Sequence, residues 1–291
     1  MKRAFTIFSI LLVISGCSTV RTAIAMMQTT DNFTLYSERN GLLFQEVDPS
    51  PLAMGAEKYL SEAIGVVEME QYRKFAKPIK IYAVSTLHNL RKYCGYKDVL
   101  GCVVNEKLFL SPRILTQPEG TLPRLLTHEL SHLHIAQQLS LLQRANVPTW
   151  FREGLAVYVS TRNDASAKLD FKEAKTKISQ GKAFYPNEEG SLFFQKENAS
   201  FHLSRRLFYR EAASFVQFLH DADSTGFRGL LLAIQDKQAF SSSFQKYYGV
   251  TVDAKWKEFV EQERINHMRT DSQQNRLFSA SLLAAQEHRR W

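Results

Sequence analysis

An α+β fold, with a small mixed sheet first and a helical half after it, is predicted by three observations. Strand-like runs are confined to the first 122 residues, and from Pro123 onward apolar residues recur almost everywhere at helical spacing. The chain has 291 residues, 44% of them hydrophobic, which is ample for a core. In order, "NFTLYSERN" (32–40) alternates as a first strand. Leu52, Ala56, Tyr59, Leu60, Ala63, Ile64 and Val67 then mark a helix from Pro51 to about Arg73. "KPIKIYAVS" (77–85) reads as a buried strand and "TLHNLRKYC" (86–94) as a short helix. "GCVVNEKLFLS" (101–111) reads as a hairpin turning at Asn105-Glu106, or as one strand with a bulge there, closed by Pro112. Pro123 and Pro148 are first-turn residues of two helices. Helical spacing returns in 166–180, 205–220, 226–236, 253–266 and 276–288.

The start of the chain has its own pattern. Lys2 and Arg3 precede an apolar run from Ala4 to Ile14, too short to span a bilayer and shaped like the core of a signal peptide. The run ends in Ile14-Ser15-Gly16-Cys17, which resembles the lipobox of bacterial lipoproteins. That resemblance implies a signal peptide at 1–16, lipidation of Cys17 (palmitate among its acyl chains), and a tether over 17–32. Ser18 after the cysteine implies an outer-membrane destination, facing the periplasm. Loss of Lys2 and Arg3 takes the formal charge from +8 to +6. The basic residues are scattered, with no basic arm, so nucleic acid is not an expected partner. The expected membrane contact is the lipid anchor. With Cys17 assigned, Cys94 and Cys102 remain as an even, closely spaced pair, expected to form a disulfide in an oxidising compartment.

The chemistry concentrates in "LLTHELSHLHIAQQ" (125–138). On a helix, His128 and His132 lie about 40° apart and can reach one ion, while Glu129 lies beside that ion, placed as a general base. His134 points elsewhere and reads as a hydrogen-bonded histidine outside the metal face. A catalytic zinc takes three protein ligands, so one ligand is missing from the stretch. Downstream, "VPTWFREGLAVY" (147–158) places Glu153 one turn into a new helix, followed by Gly154 and Ala156. These small residues suggest close packing on the His128-bearing helix.

His128-Glu129-Leu130-Ser131-His132 followed by Trp150-x-x-Glu153-Gly154-x-Ala156 resembles the gluzincin metallopeptidases, in particular the small bacterial peptidase-MA-like proteins. The match is strong at 123–158 and weaker over the rest of 33–262. The resemblance implies a zincin-like fold with one Zn2+ per chain, held by His128, His132 and Glu153. It implies a metallopeptidase domain over 33–265, strand-rich at 33–122 and helical at 123–265, with a helical extension at 266–291. It also implies that the strand around Val103, Val104, Leu108 and Phe109 forms the sheet edge on which an extended peptide lies. Tyr209, in "FYREAASFVQFL" (208–219), matches an oxyanion-stabilising tyrosine of larger relatives, with His202 in reserve. The implied activity is hydrolysis of peptide bonds in a peptide or protein of the cell envelope, by metal-activated water with Glu129 as general base. The Gly-x-Met-Glu-Asn motif of the clan's aminopeptidases is absent, which favours an endopeptidase. The competing reading is a catalytically inactive lipoprotein that keeps the zincin fold as a binding scaffold.

Overall fold

The fold is α+β, a five-stranded mixed sheet with helices followed by a largely helical half. The computed structural model describes residues 24–96, 98–162, 167–191 and 195–287; the expected signal peptide and Cys17 lie outside them. Two compact units divide the chain, Met1–Leu141 and Leu142–Trp291.

The first unit is built on strands β1 (Thr34–Ser37), β2 (Leu42–Gln45), β3 (Lys80–Ala83), β4 (Gly101–Val104) and β5 (Lys107–Leu110), in the order β1-β2-β3-β5-β4. β2, β3 and β5 run parallel, and β1 and β4 are antiparallel edge strands. Asn105 and Glu106 both take positive φ, 47° and 57°. Two such residues form the tight turn that suits strand twist, so the hairpin reading holds over the bulge. That turn folds β5 inward, between β3 and β4. Leu108 and Phe109, expected on the substrate edge, are therefore interior and buried; of the four named residues only Val103 and Val104 lie on an edge strand.

Alternation gives the sheet two apolar faces. On one, Phe44, Tyr82 and Phe109 are cross-strand partners stacked at 4.8 and 5.1 Å. Phe33, Leu90, Tyr93 and the disulfide-bonded Cys94 join them. Leu43, Ile81 and Leu108 face the other way and are buried as well. Two long helices belong to this unit. In α1 (Pro51–Glu70), Ser50 caps the N-terminus by accepting from Ala53 N; of the residues expected inside from spacing, Leu52, Ala56, Leu60, Ala63 and Val67 are buried and Tyr59 and Ile64 half-buried. The short α2 (Leu87–Cys94) is capped by Thr86 and ends at Gly95 in the left-handed region. The second long helix, α3 (Thr121–Gln138), starts after left-handed Gly120 and carries Pro123 in its first turn. The end of the expected tether also packs here, since Met26 O accepts from Asn105 Nδ2 at 2.6 Å and Phe33 is buried.

In the second unit follow α4 (Leu141–Ala145, which begins at the boundary), α5 (Thr149–Thr161), α6 (Ala167–Ser179), α7 (Arg205–Ala222), α8 (Ser224–Gln235), α9 (Phe240–Tyr248) and α10 (Val252–Glu287). The spacing at 253–266 and at 276–288 thus belongs to a single helix. Trp150, Phe184, Phe208, Phe215 and Phe259 are fully buried, and with Trp256 they form an aromatic core. The close approach that Gly154 permits is made with α7. A Cβ at Gly154 would lie 2.7 Å from the Ala212 carbonyl oxygen.

Candidate metal centre

α3 presents the two histidines one turn apart. His128 Nε2 and His132 Nε2 face each other at 3.2 Å, with the rings nearly perpendicular. A tetrahedral ion at the usual Zn–N distance of about 2.0–2.1 Å holds its two nitrogens about 3.3–3.4 Å apart, so the pair is already spaced for one ion. His128, His132 and Glu153 each offer one ligand atom, these atoms all lie within 4.8 Å of one another, and the group could hold a metal ion. Two imidazoles and one carboxylate are a donor set suited to zinc. His128, His132 and Glu153 are each half-buried, which leaves the group accessible.

Glu129, also on α3, is buried at 8% exposure. Its side chain abuts the start of β4: a Cβ built on Gly101 would lie 3.0 Å from Glu129 Cγ and 3.2 Å from its Oε1. Nothing in the helical spacing revealed this contact. An isolated glycine inside a strand pattern is the signal that could have, since it marks close approach by a neighbour.

The rotation of α3 is set from behind. Gln71 Nε2 donates to Ser131 Oγ at 2.6 Å, and Lys77 N donates to Gln137 Oε1 at 3.0 Å. His134 Nε2 donates to the Arg73 carbonyl at 2.9 Å. His134 is thus a hydrogen-bonded histidine away from the metal face, and burial pushes its pKa below the ordinary value.

In the second unit, the Tyr209 hydroxyl hydrogen-bonds the Glu153 carboxylate. Burial first, and then the charge of Glu153, push the tyrosine pKa far up, so it stays protonated and donates. Tyr209, expected to meet an oxyanion, is therefore seen as the partner of the third ligand. A tyrosine in this place steers a carboxylate as outer-shell donors do. His202 is exposed at a left-handed turn residue. Arg152 was missed by the sequence reading. Its guanidinium donates to Val147 O, Thr149 Oγ1 and Gln195 Oε1, pinning the first turn of α5. Cys94 and Cys102 form the expected disulfide. No helix among the described residues is long and apolar enough to cross a membrane.

An α+β fold with His-x3-His on one helix and a glutamate from another is compatible with a zincin site of the H-E-x-x-H…E kind. No protein-family model and no curated protein matches the sequence.

Proposed function

We propose that the protein is a zinc-dependent peptidase, with His128, His132 and Glu153 as the zinc ligands and Glu129 as general base. The observation that carries this reading is the convergence of the three ligand atoms within 4.8 Å. Glu129 stands next to His128 in the chain and is not one of them. A structural zinc site has no use for such a carboxylate, whereas hydrolysis does. A zinc ion bound there supplies Lewis-acid polarisation of a carbonyl and acidifies water.

The chain's own residues do the rest. Glu129 takes a proton from the attacking water and passes it to the leaving amine nitrogen. Tyr209, kept protonated, holds the Glu153 carboxylate in one orientation. β4 is an edge strand that offers backbone hydrogen-bonding groups to an extended peptide, and Val103 and Val104 lie on it. An open edge accepts the middle of a chain as readily as its end, which favours endopeptidase action. The same proposal places the protein in the bacterial cell envelope, lipid-anchored at Cys17 in the outer membrane and facing the periplasm. Its substrate there is a peptide or protein. The Ile14-Ser15-Gly16-Cys17 stretch supports the anchor, and the disulfide accords with an oxidising compartment.

The test is Glu129→Gln. The variant should keep one zinc per chain and lose peptide hydrolysis by on the order of 10²–10⁴-fold. Wild-type turnover in the variant would overturn the mechanism. A zinc-loaded wild type that cleaves nothing would favour the binding scaffold instead.

A further inference from the structure

We propose that Gly101 is a positioning residue for Glu129, and that the Cys94–Cys102 crosslink holds it in place; this rests on the reading of Glu129 as the general base. Glycine at 101 is not required by the backbone, because Gly101 is not among the glycines with positive φ. It is required by space. A Cβ there would meet Glu129 at Cγ (3.0 Å), Cδ (3.2 Å) and Oε1 (3.2 Å), and the chain at Gly101 is itself buried. Glutamate has three side-chain torsions, and a backbone wall along its last three atoms removes most of their freedom. A carboxylate that must meet one proton in one place gains from that restriction.

The wall is itself fixed. Gly101 pairs with Leu110 of β5, and just before it Leu100 O accepts from Ser111 N at 2.9 Å. Its neighbour Cys102 pairs with Phe109 and is covalently tied to Cys94 at the end of α2. Cys94, Phe109 and Tyr93 belong to one buried aromatic cluster, against which Cys102 packs. The crosslink therefore anchors the first turn of chain in β4 to the core of the sheet unit, next to the residue that abuts Glu129. Because β4 is also an edge strand, one element would align both the base and the peptide it acts on.

The experiment is a double-mutant cycle in unfolding on the zinc-loaded protein with Gly101→Ala, Glu129→Ala and the pair, joined to kinetics on the wild type and on Gly101→Ala. Urea unfolding gives the coupling between the two sites, and cleavage of fluorescein-labelled β-casein gives kcat and KM. Gly101→Ala should lower kcat by about 100-fold at unchanged KM and zinc content. In the Glu129→Ala background, which lacks the Cγ, Cδ and Oε1 that the added methyl meets, the same change should cost almost nothing in unfolding. The Cys94→Ala/Cys102→Ala variant, tested well below its unfolding temperature, should lose about tenfold in kcat with zinc retained. Additive unfolding effects would overturn the contact, whatever the activity. Coupled unfolding with wild-type kcat in Gly101→Ala would overturn the positioning role, as would full activity without the crosslink. Should Gly101→Ala not fold, the crosslink variant alone decides. Casein cleavage unaffected by Glu129→Gln would instead sink the proposed function, and this inference with it.

Discussion

The two units hold the helices that carry the proposed ligands in different ways. The sheet unit holds α3 with directional hydrogen bonds from the 71–77 segment, through Ser131, His134 and Gln137 on the helix's back. The helical unit pins the first turn of α5 through Arg152 and holds the rest of it by apolar contact. Trp150 packs on Phe215 at 5.2 Å and on Phe184 at 6.2 Å, and Gly154 lets α7 approach closely. The difference follows from what each helix must present. Two imidazoles on one helix reach one ion only if the helix has the right rotation, and hydrogen bonds at fixed positions around it set rotation. A single carboxylate has torsions of its own, so packing can place its helix and one donor, Tyr209, can aim the oxygen.

The largest effect that would sharpen this contrast is expected in the packed unit. Gly154→Val puts a branched side chain where a Cβ alone is 2.7 Å from a backbone oxygen, and should destabilise the helical unit by about 3 kcal/mol or more. Tryptophan emission in urea follows this unit specifically, because all three tryptophans, Trp150, Trp256 and Trp291, fall within its span. A variant as stable as wild type would break the claim that packing fixes α5.

The next effect is one of pH. Glu211 of α7 is fully buried, and burial raises its pKa to about 7, opposed by the hydrogen bond from Phe184 N. An acid with a folded pKa above its unfolded value of 4.5 binds more protons in the native state. Its contribution is therefore complete below pH 4.5 and lost as pH rises toward 7, by about 3 kcal/mol in all. Glu211→Gln should flatten the stability profile of the helical unit between pH 4 and pH 8. An unchanged slope would place the titration elsewhere.

The smallest effect belongs to the stitched unit. His134→Phe keeps an aromatic ring against Phe75 but removes the donor to Arg73 O, and should cost about 1 kcal/mol. Amide exchange over 121–138 would show it as faster opening of α3, with the helical unit unaffected. Equal protection in the variant would mean that packing holds α3 too.

Local signals were legible in the sequence and long-range ones were not. Helical spacing separated His128 and His132 from His134, and prolines marked where α1, α3 and α5 begin. β2 is Leu42-Leu43-Phe44-Gln45, which does not alternate apolar with polar and so gave no strand signal. The hairpin at Asn105-Glu106 was readable from its turn, but which arm joins β3 is decided by pairing with a strand more than twenty residues away. That is why Leu108 and Phe109 were placed on the wrong side of it. Likewise the need for space at Gly101 and Gly154 comes from Glu129 and Ala212, which no local pattern connects to them.

The central proposal is that His128, His132 and Glu153 bind one zinc ion. Zinc titration of the metal-stripped protein, wild type against Glu153→Ala, tests it most directly. The account predicts one zinc per wild-type chain and an affinity more than about 100-fold weaker in the variant. A wild type that takes up no zinc, or a variant that binds it equally well, would contradict it.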